Sequence, residues 1–313
     1  MIESTSHPAK PIRLLNNMPV VMFVLLLVDS LHFVFARLLL PYLPPAVSSF
    51  YYMAIATVEI AVFAAVRGQI DWRVFRDHAK FFLIIGFLIA FATVMSFTAV
   101  AYIDPGTASM IAQINTLFGL GFGILWLKEK LVRWEKIGAV IAVVGVFVVS
   151  FQLDDTGGQV WLGTLMVLGA SFSYALHAAI VKRQGGEMDF TNFFLFRMVT
   201  SVFFLLMFAV GRGEMVWPSG WQVWAILIVT ATVNVVISRS LYYMALRRFD
   251  LSILTILLTL SPVVTILWSL LLFGVLPSLQ GLLGGTAVIV GVILVTMSKR
   301  KNNQATVEIA DGK

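Results

Sequence analysis

Four charged residues lie within long apolar segments of this sequence, where a charge needs either a partner or a function. They are Asp29, Glu59, Arg197 and Arg239. A charged side chain at the centre of a bilayer costs about 2.5–3.5 kcal/mol on insertion scales. A buried carboxylate can exchange a proton, and an arginine can bind a carboxylate or phosphate through two parallel hydrogen bonds. The chemistry that these residue types indicate is therefore ligand binding and proton exchange.

Asp29 and Glu59 each allow two interpretations. Asp29 and His32 are three residues apart and share one face of a helix. They form either a titratable, substrate-facing stripe or a buried Asp–His pair that holds helices together. Glu59 has no charged residue on its own helical face, so its carboxylate is either paired with a base such as Arg239 or protonated.

The two arginines differ in their expected roles. Arg239 follows Asn234 and Ser238, and its guanidinium either binds a substrate carboxylate or phosphate or forms a salt bridge with Asp29 or Glu59. Arg197 lies about two turns inside its segment, close enough to extend toward the membrane interface, so we expect it to be a gate or anchor.

Two uncharged polar residues, Gln113 and Asn115, also lie at depth in one apolar segment. Because they point to different sides of a regular helix, we expect one to line a cavity and the other to hold helices together.

Catalytic and metal-binding patterns are missing from the sequence. It has no Cys and only four His, and it contains no His-Glu-x-x-His motif. Ser171 and His177 fall on different faces of one helix, so they do not form a nucleophile and base. We therefore expect no enzyme, no bound metal and no cofactor.

Composition places most of the chain in a bilayer. Of the 313 residues, 59% are hydrophobic and 12% charged. Apolar runs of membrane-spanning length predict an all-α membrane protein with ten transmembrane helices. The predicted spans are 19–40, 45–66, 80–103, 105–127, 134–151, 160–181, 190–211, 221–246, 251–274 and 279–297. The first is too long for the apolar part of a signal peptide, so we expect it to be retained.

The basic residues predict the orientation. With a cytoplasmic N-terminus, most of the 22 Lys and Arg residues fall in cytoplasmic segments, and the outside segments hold Arg212 and several acids. Both termini are then cytoplasmic. Nucleic acid is excluded as a partner, because the basic residues sit at the ends of apolar runs and form no separate surface.

The two halves of the chain resemble each other at an offset of 145 or 146 residues. Pairs at this offset are His32 and His177, Arg67-Gly68 and Arg212-Gly213, Asp104 and Asp250, Gly138 and Gly284, and Gly145 and Gly291. Chance pairing of abundant residues is the alternative. The predicted organisation is a cytoplasmic segment 1–18, a repeat 19–151, a repeat 160–297 and a basic tail 298–313. An odd number of spans per repeat inverts the second one, which favours alternating access.

The chain resembles the drug/metabolite transporter superfamily in its two-repeat, EamA-type form. The segments that carry the resemblance are AVAYIDPGTA at 99–108, WLKEKL at 126–131, Val144-Gly145-Val146, YMALRRFD at 243–250, LSPV at 260–263 and Val290-Gly291-Val292. It departs from the family pattern at two positions where the halves differ. At the repeat offset, Glu129 in the first half corresponds to Val275 in the second, and Arg197 in the second half corresponds to Tyr52 in the first.

The resemblance and the deep charges together predict a secondary transporter of a small metabolite. Its candidate substrate-binding or coupling residues are Asp29, His32, Glu59, Gln113, Asn115, His177, Asn234 and Arg239. We expect an exporter of amino acids or related carboxylates in a bacterial or archaeal-type plasma (inner) membrane, with protons as the coupling ion. Its partners are then the substrate and the lipid bilayer. The sequence does not decide between a monomer and a homodimer. The alternatives are a drug or cation efflux carrier and a non-transporting scaffold or receptor.

Overall fold

The computed structural model describes residues 18–127, 132–150, 159–184, 188–246 and 257–311, and over these residues it is helical, without strands. The helices are α1 Met18–Asp29, α2 His32–Leu39, α3 Pro45–Val66, α4 Trp72–Asp77, α5 Ala79–Ala99, α6 Pro105–Ala112, α7 Asn115–Leu127, α8 Arg133–Ser150, α9 Val160–Gln184, α10 Phe190–Gly211, α11 Trp221–Thr230, a π-helix Ala231–Ile237, α12 Ser238–Leu246, α13 Ser261–Phe273 and α14 Leu279–Asp311. Several charged residues that enter the orientation, motif and repeat predictions lie outside the described chain. They are Lys10, Arg13, Lys128, Glu129, Lys130, Asp154, Asp155, Arg247, Arg248, Asp250 and Lys313.

Eight stretches of the described chain are long and apolar enough to cross a membrane. They are Val20–Leu39, Pro45–Val66, Ala79–Ala99, Pro105–Ile124, Val160–Gln184, Phe190–Gly211, Trp221–Tyr242 and Leu279–Ser298. The fifth predicted span coincides with α8, which begins with Arg133, Glu135 and Lys136. The ninth coincides with the 13-residue helix α13, and residues 247–256 before it lie outside the described chain. The protein is therefore an all-helical membrane protein.

Four of the predicted spans are interrupted in the described chain, among them the ninth, by the turn at Thr259 and Leu260. The first breaks at Ser30 and Leu31, and the fourth breaks at Gln113 and Ile114. The eighth contains the π-helix. At the first break, the Ser30 hydroxyl donates to the Leu27 carbonyl at 2.7 Å, and Thr265 donates to the Ser30 carbonyl at 2.8 Å. Side chains thus satisfy backbone groups that a regular helix would pair, as a non-helical segment in a membrane requires.

Corresponding helices of the two halves begin and end at positions that are related by the repeat offset. The 22-residue helices α3 and α10 begin at Pro45 and Phe190, and each is followed by an Arg-Gly pair. Both glycines, Gly68 and Gly213, have a positive φ, at 61° and 66°. The 13-residue helices α7 and α13 each follow a two-residue turn, at 113–114 and 259–260.

Helices α8 and α14 pack closely through glycines and run antiparallel. A Cβ on Gly138 would lie 2.5 Å from the carbonyl oxygen of Gly291, and one on Gly145 would lie 2.5 Å from that of Gly284. Contacts that pair the earlier residue of one helix with the later residue of the other are those of antiparallel helices. Only glycine allows backbones to approach this closely.

Helices α3 and α10 are also antiparallel. At one end, Asn192 Nδ2 donates to the Gln69 carbonyl at 2.9 Å. At the other end, the Tyr51 hydroxyl donates to the Val216 carbonyl at 3.3 Å, and the Tyr51 ring packs against Trp224. These contacts fix both ends of a pair of helices that border the central cavity.

Candidate functional site

A cavity of about 680 Å³ lies among the helices. It is lined by residues from α1, α2, α3, α5, α6, α7, α9, α10, the π-helix and α12, by the turn before α13 and by Ser261, the first residue of α13. The described residues of α8 and α14 do not. Its polar and charged lining comprises Asp29, Ser30, His32, Tyr52, Thr93, Ser109, Gln113, Asn115, Thr116, Tyr174, His177, Lys182, Arg197, Ser201, Asn234, Arg239, Tyr242, Thr259 and Ser261. Its volume is within the usual range for small-molecule sites.

All but one of the residues predicted for the site line this cavity. Glu59 is the exception, because it does not belong to the lining. Its carboxylate instead accepts a hydrogen bond from Thr232 Oγ1 at 2.8 Å. On α3, Glu59 shares a helical face with Val62 and Phe63, which are 57% and 51% exposed. The carboxyl therefore lies at the outer surface of the bundle, where α3 meets the π-helix.

The charges of the lining are mainly positive. Arg197, Arg239 and Lys182 face the cavity, and Asp29 is the acid of the described lining. Cations in a low-dielectric cavity attract a substrate that carries a carboxylate or phosphate.

Arg239 is central to this charge distribution. It interacts electrostatically with His32 on α2, Tyr52 on α3, and Tyr174 and His177 on α9. Within the described chain the salt bridges are Arg76–Asp77 and Arg212–Glu214, both toward solvent. The salt bridge of Arg239 with Asp29 or Glu59, weighed above as an alternative, is therefore not formed.

Asp29 and His32 do not pair with each other. Ser238 donates to Asp29 Oδ1 at 3.4 Å, and Asn234 Nδ2 lies 3.2 Å from His32 Nδ1. The helix ends at Asp29 and restarts at His32, so the regular three-residue spacing that would place both on one face is lost. Both side chains bond to the eighth span instead, so the Asp–His pair, one of the two interpretations given above, is not formed.

The π-helix explains how the eighth predicted span both lines the cavity and contacts Glu59 outside it. Thr232 and Arg239 are seven residues apart, about two turns of an α-helix, and would share a face there. A π-helical stretch has more residues per turn, which rotates the residues that follow it. As a result, Thr232 contacts Glu59 outside the cavity, whereas Asn234 and Arg239 face inward.

Arg197 packs on an aromatic ring at the border of the cavity. Its guanidinium carbon lies 4.7 Å from the centroid of the Phe194 ring, and the side chain lines the cavity. A guanidinium stacks favourably on an aromatic face. This contact holds the guanidinium beside Phe194. The expected extension toward the interface and the predicted gating or anchoring role stay predictions.

Gln113 and Asn115 both line the cavity, so, contrary to our expectation, they do not point to different sides. That expectation assumed a regular helix. The turn at Gln113 and Ile114 ends α6 and starts α7, which changes the direction of the residues that follow.

Two histidines at corresponding positions of the two halves present unused ring atoms. His32 Nε2 and His177 Nε2 are buried and have no hydrogen-bond partner within the described chain. Both residues line the cavity. Buried polar atoms are normally paired, so an orphan atom at a cavity indicates that a ligand or water supplies the partner.

Sequence reasoning did not list several lining residues. Tyr52 stacks on Phe97 with ring centroids 5.0 Å apart, and the Tyr174 hydroxyl lies 3.4 Å from Thr93 Oγ1. The repeat offset was a usable signal, since it pairs Tyr52 with Arg197 and Tyr174 with Asp29. Lys182 gave no such signal, because a basic residue at a span end is ordinary.

Comparison with known proteins shows similarity to transporters. The model of a family described as the EamA-like transporter family matches residues 18–151 and 161–297. An uncharacterized transporter of Bacillus subtilis (strain 168), YdfC, is 23% identical over 253 residues, covering 80% of this chain and 82% of that one. An uncharacterized transporter of Haemophilus influenzae is 22% identical over 224 residues, covering 70% and 72%.

A solved structure, titled only "Crystal structure of protein", has a similar fold. It superposes with a TM-score of 0.60 at 16% identity, covering 91% of this chain and 98% of that one.

Proposed function

This chain belongs to the EamA-like transporter family, and we propose that it exports amino acids or related carboxylates by alternating access. The family match confirms the resemblance seen in the sequence. The protein is thus a membrane transporter embedded in a lipid bilayer, and its substrate is a small molecule. The substrate class, direction and mechanism are our proposal, in the plasma (inner) membrane of a bacterial or archaeal-type cell.

The observation that carries the substrate class is the position of Arg239. It faces the cavity, forms no salt bridge within the described chain and lies among His32, Tyr52, Tyr174 and His177. A substrate carboxylate would bind this guanidinium bidentately. Asp29, on the same cavity, would bind the ammonium group of an amino acid.

Ten spans in two inverted repeats form the architecture of this proposal, with repeats 19–151 and 160–297 and cytoplasmic segments 1–18 and 298–313. The separate family matches to each half support it. So do the shared helix bounds and the antiparallel packing of α8 with α14 and of α3 with α10. Equivalent helices that run in opposite directions are what an inverted repeat requires.

The cavity geometry supports an inward-open state. The lining extends to Lys182, half a turn before the end of α9, which is a predicted cytoplasmic end. At the opposite end, Arg37 Nη1 donates to the Val100 carbonyl at 2.7 Å. Deeper, Thr265 joins the Ser30 carbonyl to Ser109 Oγ at 2.8 and 3.2 Å. These bonds would have to break for the cavity to open outward.

Uptake into proteoliposomes tests the proposal. We expect saturable uptake of a radiolabelled amino acid or carboxylate by the wild type. Arg239→Gln should lower it by about tenfold or more, because a hydrogen bond to a charged group is worth about 1.5–3 kcal/mol. Arg212→Gln is the matched control, since Arg212 pairs with Glu214 outside the cavity.

The alternatives give different results in the same assay. A scaffold or receptor would show no saturable flux of any compound. A cation efflux carrier would transport cationic drugs, would depend on Asp29 and would tolerate Arg239→Gln. Either result would overturn the proposed substrate class.

A further inference from the structure

Glu59 is an intramembrane carboxyl that the substrate cavity leaves unused. It lies two turns before the end of α3 at Val66, about 10 Å inside the helix end at a rise of about 1.5 Å per residue. It does not line the cavity. A charge at this depth needs a reason of its own.

The surroundings of Glu59 combine an exposed apolar face with a single hydrogen-bond donor of the described chain. Val62, Phe63 and Val66 continue its helical face and are 57%, 51% and 83% exposed, so this face meets lipid. Lipid offers no hydrogen bonds. Within the described chain, the Thr232 hydroxyl is the donor that reaches this carboxyl, at 2.8 Å.

No charged group offsets a negative charge on Glu59 within the described chain. Helix α3 packs against α2, α5, α10, α11 and the π-helix. The titratable and charged residues on these helices and on the ends of α3 are His32, Arg37, Tyr51, Tyr52, Arg67, Lys80 and Arg197. None of the basic residues among them forms a salt bridge with Glu59. Arg67 stacks instead on Phe63, at 4.2 Å from the ring centroid.

The π-helix connects Glu59 to the cavity. Thr232 bonds to Glu59, Asn234 to His32, and Ser238, the first residue after the π-helix, to Asp29. Proton loss from Glu59 would leave a charge that demands more donors than Thr232 provides. A shift of this segment between π- and α-helical hydrogen bonding would move Asn234 and Arg239 at the cavity.

We infer that Glu59 is a proton-binding site outside the substrate cavity, coupled to it through the π-helical segment that holds Thr232 and Asn234. This inference rests on the proposed transport function and assigns its coupling ion to Glu59 rather than to Asp29. The proton binds a carboxylate oxygen of Glu59.

A hydrophobic carbodiimide tests the site without transport. Dicyclohexylcarbodiimide reacts with protonated carboxyls in apolar surroundings, and mass spectrometry of peptides locates the adduct. In full-length protein reconstituted in lipid, we expect an adduct on Glu59 that declines as pH rises. Asp29→Asn should still be labelled, and Glu59→Gln should lose the adduct. No adduct on Glu59 at any pH, or an adduct on Asp29 alone, would overturn the inference.

Transport separates this inference from the proposed function. Uptake of a mixture of radiolabelled amino acids is measured in proteoliposomes with and without an imposed pH gradient. We expect that the pH gradient no longer stimulates uptake by Glu59→Gln. In Asp29→Asn, the uptake that remains should still be stimulated by the gradient. Thr232→Val should keep the adduct and reduce the stimulation. Gradient stimulation that survives in Glu59→Gln would overturn the inference.

If the wild type shows no uptake while Glu59 still labels in a pH-dependent way, the proposed function fails and the proton site stands.

Discussion

The contact between Asn234 and His32 joins two segments that are far apart in the chain. Asn234 is 6% exposed, and its amide provides the contact to His32 Nδ1 at 3.2 Å. His32 Nε2 already has no partner within the described chain. Asn234→Leu would therefore remove the one hydrogen-bond contact that the described chain gives this imidazole, at a cost of about 1–3 kcal/mol. We expect a lower thermal unfolding midpoint in detergent, with Thr57→Val as control because Thr57 bonds only within its own helix. An unchanged midpoint would contradict this reading of the contact.

At the residue scale, the sequence identified charged and amide side chains well, because a polar residue in an apolar run stands out. It could not tell which face of a helix meets the cavity. Helix α3 is apolar around its whole circumference apart from a few residues, so periodicity could not distinguish the lipid-facing Glu59 from the cavity-facing Tyr52. Tyr52 and Tyr174 were missed because aromatic residues are common in membrane helices.

At the element scale, the glycines of α8 and α14 set a steric limit. Gly145→Ala would place a Cβ 2.5 Å from the Gly284 carbonyl oxygen and force the helices apart. In contrast, a Cβ on Gly119, within α7, meets nothing within 4 Å. Because Ala stabilises a helix interior by up to about 1 kcal/mol relative to Gly, the two substitutions should change stability in opposite directions. Thermal unfolding of both variants in detergent measures this, and equal shifts of the same sign would contradict it.

The bounds of most spans could be predicted from apolar length, which the bilayer thickness dictates. The breaks could not. Hydropathy reports which residues avoid water, whereas the turns at 30–31, 113–114 and 259–260 and the π-helix depend on backbone hydrogen bonds and on partners from other helices. Thr265, for example, bonds to the Ser30 carbonyl across 235 positions of sequence. The interruptions at Ser30, Gln113 and Thr259 all border the cavity, so the part that sequence missed is the part that shapes the site.

At the scale of the whole molecule, the proposed inverted repeat would account for the different states of the two ends of the bundle. One end is open as far as Lys182, and the other is closed by Arg37 on Val100 and by the Tyr51, Trp217 and Trp224 rings. Two structurally similar halves in opposite orientation can exchange conformations, so that the open end closes and the closed end opens. A single set of helices has no symmetry that relates the two states.

Because the sequence contains no Cys, single cysteines can report which end is open and which side it faces. We expect Lys182→Cys to react with a membrane-impermeant maleimide in inside-out vesicles and to be protected in intact cells. Trp217→Cys should react from the outside, since Trp217 lies at the opposite end and is 74% exposed. Tyr52→Cys, at the closed end of the cavity, should react only from the Lys182 side. If Tyr52→Cys were reached from the Trp217 side alone, the open and closed ends would be reversed. The structure would then represent an outward-open rather than an inward-open state.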